Sequence, residues 1–169
     1  MQNFLVELEG NVPALRRYAR ALTRDADRAD DLVQDCLERA IRKQRLWSPT
    51  GQLRSWLFKM LLNLHRNDAR TRRRRGESIP LDDLTVEPAI PAPQPGRIAL
   101  SEMARAVDAL PTDQREALLL VVIDGASYTE AAGILGIPAG TLMSRLGRAR
   151  AALRAMTGNA EEPRLRTVK

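Results

Sequence analysis

Six guanidiniums fall within ten residues, at Arg66, Arg70, Arg72, Arg73, Arg74 and Arg75. Upstream, Lys59, Asn63, Arg66 and Arg70 recur at i, i+4, i+7 and i+11, so on a helix they form one polar, mostly cationic stripe. Such a stripe suits a row of phosphates, because each phosphate neutralised releases counterions and favours binding in a salt-dependent way. A solvated basic patch is the plainer explanation of any isolated charge run. Here the run joins a stripe that contains Asn63 and adjoins an irregular segment at about 45–52, which favours a nucleic-acid strand.

A second constellation spans Ser127–Arg150, SYTEAAGILGIPAGTLMSRLGRAR. A short helix with the small residues Ala131 and Ala132, a turn at Gly136 and a longer helix are the parts a helix-turn-helix requires. Ser127 with Glu130 forms the sequence pattern of a capping box, and Pro138 stands where the next helix begins. On that longer helix Leu142, Leu146, Ala149 and Leu153 make the inward stripe. Thr141, Ser144, Arg145 and Arg148 then face outward with Arg150 to one side, a hydroxyl and guanidinium surface suited to major-groove edges and flanking phosphates. The competing explanation is a solvated amphipathic helix in an ordinary bundle.

A third cluster has the opposite sign. Asp27, Asp31 and Asp35 lie at i, i+4 spacing, with Asp30, Gln34 and Glu38 beside them. Like charges at this spacing weaken an isolated helix by roughly a few tenths of a kcal/mol per pair. Two explanations stand side by side: a docking ridge for an arginine-bearing protein, and a helix N-terminus whose dipole favours acids. The dipole accounts for Asp27, Asp30 and Asp31 better than for Asp35 and Glu38.

The elements that must hold these groups are helices. The 169 residues contain 4% aromatics, too few for an aromatic-rich sandwich, and Ala, Leu and Arg predominate. Apolar residues recur at helical spacing at Val12, Leu15, Tyr18, Ala19 and Leu22. Leu32, Val33, Cys36, Leu37, Ala40 and Ile41 form another stripe, and Leu53, Trp56, Leu57, Met60, Leu61 and Leu64 a third. Between 76 and 96 lie Pro80, Pro88, Pro91, Pro93 and Pro95, a density that forbids helix and favours extended chain. The expected architecture is all-α: an N-terminal helical bundle (1–75), a Pro-rich linker (76–96), a C-terminal helix-turn-helix bundle (97–157) and a disordered tail (158–169).

Charge and cysteine usage narrow the function. Lys and Arg number 27 against 21 Asp and Glu, a net charge of +6 that favours a polyanionic partner. Cys36 is the only cysteine and lies in an apolar stripe, so an inert buried thiol is expected rather than a disulfide or redox sensor. His65 is the only histidine, far from Cys36, and receives no role. Trp56 is expected in the core; Trp47 fits either the core or a stacking platform, with the core favoured. The longest apolar run, Ala117–Ile123, is too short to cross a bilayer, and the N-terminus lacks signal-peptide features. A cytoplasmic protein without membrane contact is expected. No nucleophilic triad, phosphate-binding glycine loop or metal cluster stands out, so neither catalysis nor a cofactor or metal is expected.

Taken in order, these segments resemble the extracytoplasmic-function class of the sigma-seventy family of bacterial RNA polymerase. Its second region resembles DDLVQDCLERAI (Asp30–Ile41) followed by a loop and LRSWLFKMLLNLHRNDARTRRR (Leu53–Arg74). Its fourth region resembles LPTDQREALLL (Leu110–Leu120) followed by the helix-turn-helix segment. The resemblance covers nearly the whole chain outside the linker and tail, and the two regions in this order are far more specific than either alone. It implies a non-enzymatic sigma factor that binds core RNA polymerase and promoter DNA, is restrained by an anti-sigma factor, and serves a stress or envelope-signal regulon.

By the same resemblance, Asp31, Gln34, Asp35 and Glu38 face the polymerase. Ser48, Gln52, Lys59, Asn63, Arg66, Asn67 and Arg70 hold the melted minus-ten element, where a base leaves the stack and is read in a protein pocket. Thr141, Ser144, Arg145 and Arg148 read the minus-thirty-five duplex. At polyproline extension the linker reaches roughly 65 Å, about two turns of duplex. Met143 departs from the pattern, standing where the family often carries a basic residue. The first and third regions of housekeeping sigma factors are absent, and a slight similarity to the alphaproteobacterial general-stress type is visible. Two alternatives are weaker. A sigma-like decoy that sequesters an anti-sigma factor has no need of an arginine reading face, and a stand-alone repressor would leave the acidic ridge and arginine stripe unexplained.

Overall fold

The computed structural model describes residues 2–47, 52–76 and 95–158, with the side chains of residue 2 and of 95–98 left aside. Among the described residues it is all-α, with no strand. Three helices form the N-terminal module: α1 (Gln2–Thr23), α2 (Ala26–Arg42) and α3 (Leu53–Arg74), with a single 3-10 turn at Gln44–Leu46 after α2. Four form the C-terminal module: α4 (Pro95–Asp108), α5 (Thr112–Val122), α6 (Tyr128–Leu135) and α7 (Ala139–Met156). Most of the expected linker, the expected tail and Ser48 lie outside the described residues.

Local rules explain where the helices begin and how far their stripes stay buried. Helix α1 runs from Gln2 through Gly10 and Pro13. Phe4 and Leu8 extend its buried stripe, and that burial outweighs the backbone hydrogen bond Pro13 cannot donate. Helix α4 starts at Pro95, inside the expected linker, because proline is tolerated in a first turn whose N–H groups have no intrahelical acceptor. In α2 the stripe narrows along one column: Val33 is buried, Leu37 is half-buried and Ile41 is 45% exposed. Residues four apart advance slightly more than one turn, so such a column rotates out of the core. Trp56 and Trp47 are both partly buried against the core, and Trp47 meets the Phe4 ring at a 5.5 Å centroid separation.

The acids near the start of α2 have a structural use as well. Asp25 caps the helix, accepting from the Arg28 amide at 3.0 Å, and Asp30 meets Arg16 at 3.4 Å. Arg28 in turn pairs with Asp68 of α3 at 3.3 Å, tying these two helices together at their surface.

The helix-turn-helix forms as its residues dictate. Ser127 accepts from the Glu130 amide at 3.2 Å while Glu130 accepts from the Ser127 amide at 2.9 Å, closing the capping box. Gly136 ends α6 at φ 67°, a left-handed conformation that costs glycine nothing sterically. Leu142, Leu146 and Ala149 are buried on α7, as the periodicity requires, and Leu153 is partly buried.

The two modules share one hydrophobic cluster. In the second half of helix α5 the consecutive residues Ala117, Leu118, Leu119 and Leu120 are all buried, because the helix packs against α6 and α7 on one side and α1 on the other. Helix α6 also packs on α3. Each small module thereby gains buried area that its own helices do not supply. Ser127→Ala removes the helix cap without altering the core, and is expected to lower unfolding free energy by about 1 kcal/mol in urea titrations. An unchanged midpoint would show that the cap contributes nothing to this helix.

Candidate nucleic-acid interface

Helix α3 carries the basic stripe as a continuous helix through Arg74, with Arg72, Arg73 and Arg74 in its last turn, where the helix dipole favours cations. Lys59, Asn63, Asn67 and Arg70 are exposed, as is Gln52 just before the helix. Arg66 is different. Its Nε and Nη2 donate to Glu116 Oε1 and Oε2 of α5 at 3.1 and 2.6 Å, a bidentate pair spanning the modules. This hydrogen bonding raises the Arg66 pKa above its ordinary value, burial opposing it.

The Glu116 side chain is only 2% exposed, whereas Arg66 retains 35%. Tyr18, fully buried in α1, donates its hydroxyl to the Glu116 backbone carbonyl at 3.2 Å and packs on Phe58 at 5.3 Å. Burial raises the Tyr18 pKa well above the ordinary phenol value, keeping the donor protonated. Removing one partner of a fully buried ion pair costs roughly 3–5 kcal/mol, and less here because Arg66 keeps water contact.

Two further ion pairs join the modules. Arg54 Nη2 lies 2.6 Å from Asp124 Oδ1 and donates to the Asp124 carbonyl at 3.0 Å, its guanidinium 5.3 Å from the Phe58 ring centre. Burial raises the Asp124 pKa, with Arg54 opposing it. Arg24, whose φ of 58° closes α1 in a left-handed turn, pairs with Asp108 at the end of α4.

The acidic ridge is on the surface. Asp31, Gln34, Asp35 and Glu38 are all exposed on α2. Gln34 donates to Glu38 at 3.3 Å, and Arg42 reaches the same carboxylate at 3.1 Å. Asp31 and Asp35 line an open groove of about 440 Å³ between α2 and α3, together with Asp68 and His65. Cys36 lies behind the ridge, fully buried, with its thiol pKa pushed up to about 12 by burial.

On α7, Thr141, Ser144 and Arg148 are exposed together with Met143. Arg145 is partly covered, its Nε 3.3 Å from Asp113 Oδ2 at the start of α5. Arg150 donates to the Tyr128 hydroxyl at 3.1 Å, which fastens the side of α7 to the first residue of α6. The structure thus brings Thr141, Ser144 and Arg148 to one open face and holds Arg145 and Arg150 in defined positions beside it. Sequence reasoning missed Tyr18, Arg54, Asp113, Glu116 and Asp124. The available signal was an acid, Glu116, abutting the apolar run of α5.

Comparison with known proteins accords with this organisation. Residues 8–62 match the family model described as the Sigma2 domain of PhyR, and residues 100–153 match Sigma-70, region 4. The ECF RNA polymerase sigma factor EcfG of Rhodopseudomonas palustris (strain TIE-1) is 45% identical over 148 residues, covering 86% of this chain and 80% of that protein. The chain belongs to the ECF sigma factors of RNA polymerase. It directs promoter-specific transcription initiation and is not an enzyme.

Two solved sigma factors share the arrangement over most of the chain. RpoE in complex with the anti-sigma factor NepR, from Bartonella quintana, superimposes with a TM-score of 0.76 at 36% identity, covering 96% of this chain and 100% of that one. CnrH in complex with the cytosolic domain of CnrY gives 0.70 at 29% identity, covering 94% and 90%. Both matches therefore extend across the two modules of this sigma factor. No helix among the described residues is long and apolar enough to cross a membrane.

The groove histidine sets a pH dependence for the fold. Burial lowers the His65 pKa below 6.5, with nearby charges acting in both directions. The folded state thus binds a proton less readily than the unfolded chain, so stability falls as the pH drops below the unfolded value of 6.5 and the loss ends at the lower folded pKa. Urea midpoints of the protein and its His65→Gln variant, measured from pH 7.5 downwards, are expected to show a shallower acid decline for the variant. Parallel curves would remove His65 from the account.

Proposed function

We propose that the N-terminal module, residues 1–75, engages core polymerase and the melted minus-ten element, while residues 97–157 read the minus-thirty-five duplex. Residues 76–96 would span the distance between the two elements. The observation that carries this reading is the separation of unlike surfaces on one module. The acidic ridge of α2 and the polar, cationic stripe of α3 are both exposed, and no DNA-binding protein needs an acidic ridge to meet phosphate.

Asp31, Gln34, Asp35 and Glu38 would meet a basic helical surface of core polymerase, and the adjoining groove offers room for a partner side chain. Gln52, Lys59, Asn63, Arg66, Asn67 and Arg70, with Ser48, would hold the unpaired strand. The exposed row Thr141, Ser144 and Arg148 would enter the major groove, with Arg145 braced by Asp113 at its edge. Met143 supplies an apolar contact in place of a cation at that surface. An anti-sigma factor is the expected restraint, as the two solved relatives were captured with one or with a partner's cytosolic domain. The protein would act in the cytoplasm on a stress or envelope-signal regulon, and it resembles the general-stress type.

Promoter-dependent transcription with purified core polymerase tests these roles. Adding this protein to core polymerase and sheared genomic DNA is expected to yield discrete transcripts whose aligned starts reveal both promoter elements. Asp35→Arg combined with Gln34→Ala is expected to lower core binding about tenfold or more and leave duplex binding intact. Arg148→Ala is expected to cost about 1–3 kcal/mol of duplex affinity and leave core binding intact. If the ridge substitutions spare core binding, the polymerase surface lies elsewhere.

A further inference from the structure

The cations of α7 are not held alike. Arg148 is exposed, and Arg150 donates to a neutral group, the Tyr128 hydroxyl, at 3.1 Å. Arg145 instead meets an acid: its Nε lies 3.3 Å from Asp113 Oδ2, in the first turn of α5. The Arg145 side chain is 22% exposed and that of Asp113 48%. An open carboxylate therefore stands beside the face that carries Thr141, Ser144 and Arg148, supplied by a helix outside the helix-turn-helix.

This pair does little for the fold. Helices α5 and α7 are already joined by apolar packing, with Leu118, Leu119 and Leu120 buried in one cluster with Leu142 and Leu146. An ion pair whose acid is half exposed is screened by solvent and adds little to stability. Its effect falls on the arginine. A guanidinium has five N–H donors, one on Nε and two on each terminal nitrogen. The contact with Asp113 runs through Nε, and Arg145 has no other partner among the described residues. The terminal nitrogens remain available, and such a pair suits O6 and N7 of a guanine in the major groove. A phosphate could take the same guanidinium only beside a carboxylate that repels it.

We propose that Asp113 is a positioning residue for base selection, holding Arg145 for a guanine edge and keeping it from serving as a general phosphate anchor. This role rests on the proposed reading of duplex DNA by α7. It adds the base that Arg145 selects, and it places part of the selection on an acid outside the reading helix. The pair fixes in advance side-chain freedom that Arg145 would otherwise lose on the duplex.

Two measurements test this role. In the first, holoenzyme formed with core polymerase binds a duplex pool randomised over the minus-thirty-five region of a promoter found by transcription, and the bound fraction is sequenced. Arg145→Ala is expected to erase a guanine preference of about tenfold at one position. Asp113→Ala is expected to weaken the preference at that same position about fivefold and to leave the others as they are. The double variant is expected to match Arg145→Ala, because the acid acts through the arginine. In the second, the full chain binds a short fluorescein-labelled duplex of mixed sequence, followed by anisotropy. Here Asp113→Ala is expected to bind more tightly and to steepen the dependence of log K on log salt by about 0.9, the increment for one more phosphate. A purely structural contact gives the opposite sign, looser binding to every duplex. Asp113→Asn keeps the side-chain shape and is expected to act in the same direction, which covers poor folding of the alanine variant. Glu102→Gln, an exposed change on α4, controls for the loss of one negative charge.

If both Asp113 variants keep the guanine preference that Arg145→Ala erases, the role of Asp113 is overturned and the reading by α7 stands. A uniform loss at all positions overturns it too, as does a gain on the mixed duplex no larger than that of Glu102→Gln. If Arg145→Ala removes no preference while Arg148→Ala alters the profile, Arg145 is not a reader and the proposal alone fails. If alanine at Thr141, Ser144, Arg145 and Arg148 together leaves the profile unchanged, the reading by α7 fails and this role with it.

Discussion

A carboxylate withdrawn almost completely from water requires a cation and hydrogen-bond donors close by, or it will not remain charged there. Glu116 finds its cation in Arg66, on the other module and fifty positions away in the chain, and its backbone carbonyl accepts from Tyr18 of the same distant module. The packing of α5 on α1 therefore carries a polar contact with α3 beside its apolar burial. Without Arg66 beside it, the middle of α5 would place an unpaired carboxyl group within the shared core. With Arg66 in place, the helix supplies Leu118, Leu119 and Leu120 to that core and an anion to its edge.

The same contact explains why a basic protein can pack two modules without mutual repulsion. Its positive charge is distributed over three separate surfaces: the α3 stripe, the outward face of α7 and the arginines that meet the other module. Of these, the arginines that meet the other module are all paired with carboxylates, one of them, Arg66, drawn from the α3 stripe, while on α7 Arg145 is paired with Asp113. Each of the pairs between the modules combines a nearly buried acid with a partly exposed arginine, so salt screens them less than exposed pairs and more than fully buried ones. The apolar cluster provides affinity between the modules, while the ion pairs set their register, because a shifted α5 would strand Glu116 and Asp124 in an apolar setting.

The helix-turn-helix has a different physical basis. Its stability is local, from the Ser127–Glu130 box, the left-handed Gly136 and the small residues of α6, and its outward face is correspondingly unencumbered at Thr141, Ser144 and Arg148. Two side chains are fastened from within the module, Arg145 by Asp113 and Arg150 by Tyr128. In the proposed role, such fastening lowers the entropy that an arginine would lose on being immobilised against DNA. The α2 ridge shows the opposite economy. Its acids extend beyond the first turn that the helix dipole would favour, and the cost in helix stability is borne by burial of the opposite face, from Ala29 to Ala40.

Sequence alone determined the helices, their inward stripes and the charge of each outward face, since these follow from spacings of three and four residues and from local rules for caps, glycine and proline. The capping box, the left-handed Gly136, the α7 stripe and the exposed acidic ridge were all legible for that reason. Local rules also erred where a proline is tolerated in a first helical turn, as at Pro95, or where a stripe rotates out of the core, as at Ile41. Only the tertiary structure decided that the modules pack together, that Arg66 is held by Glu116 and that Arg145 is braced by Asp113. Those pairings join residues that no helical period relates. An arginine in a stripe has the same local pattern whether its anion is a phosphate, a solvent ion or a glutamate on another module, and only the packing of α5 against α1 and of α6 against α3 selects among them.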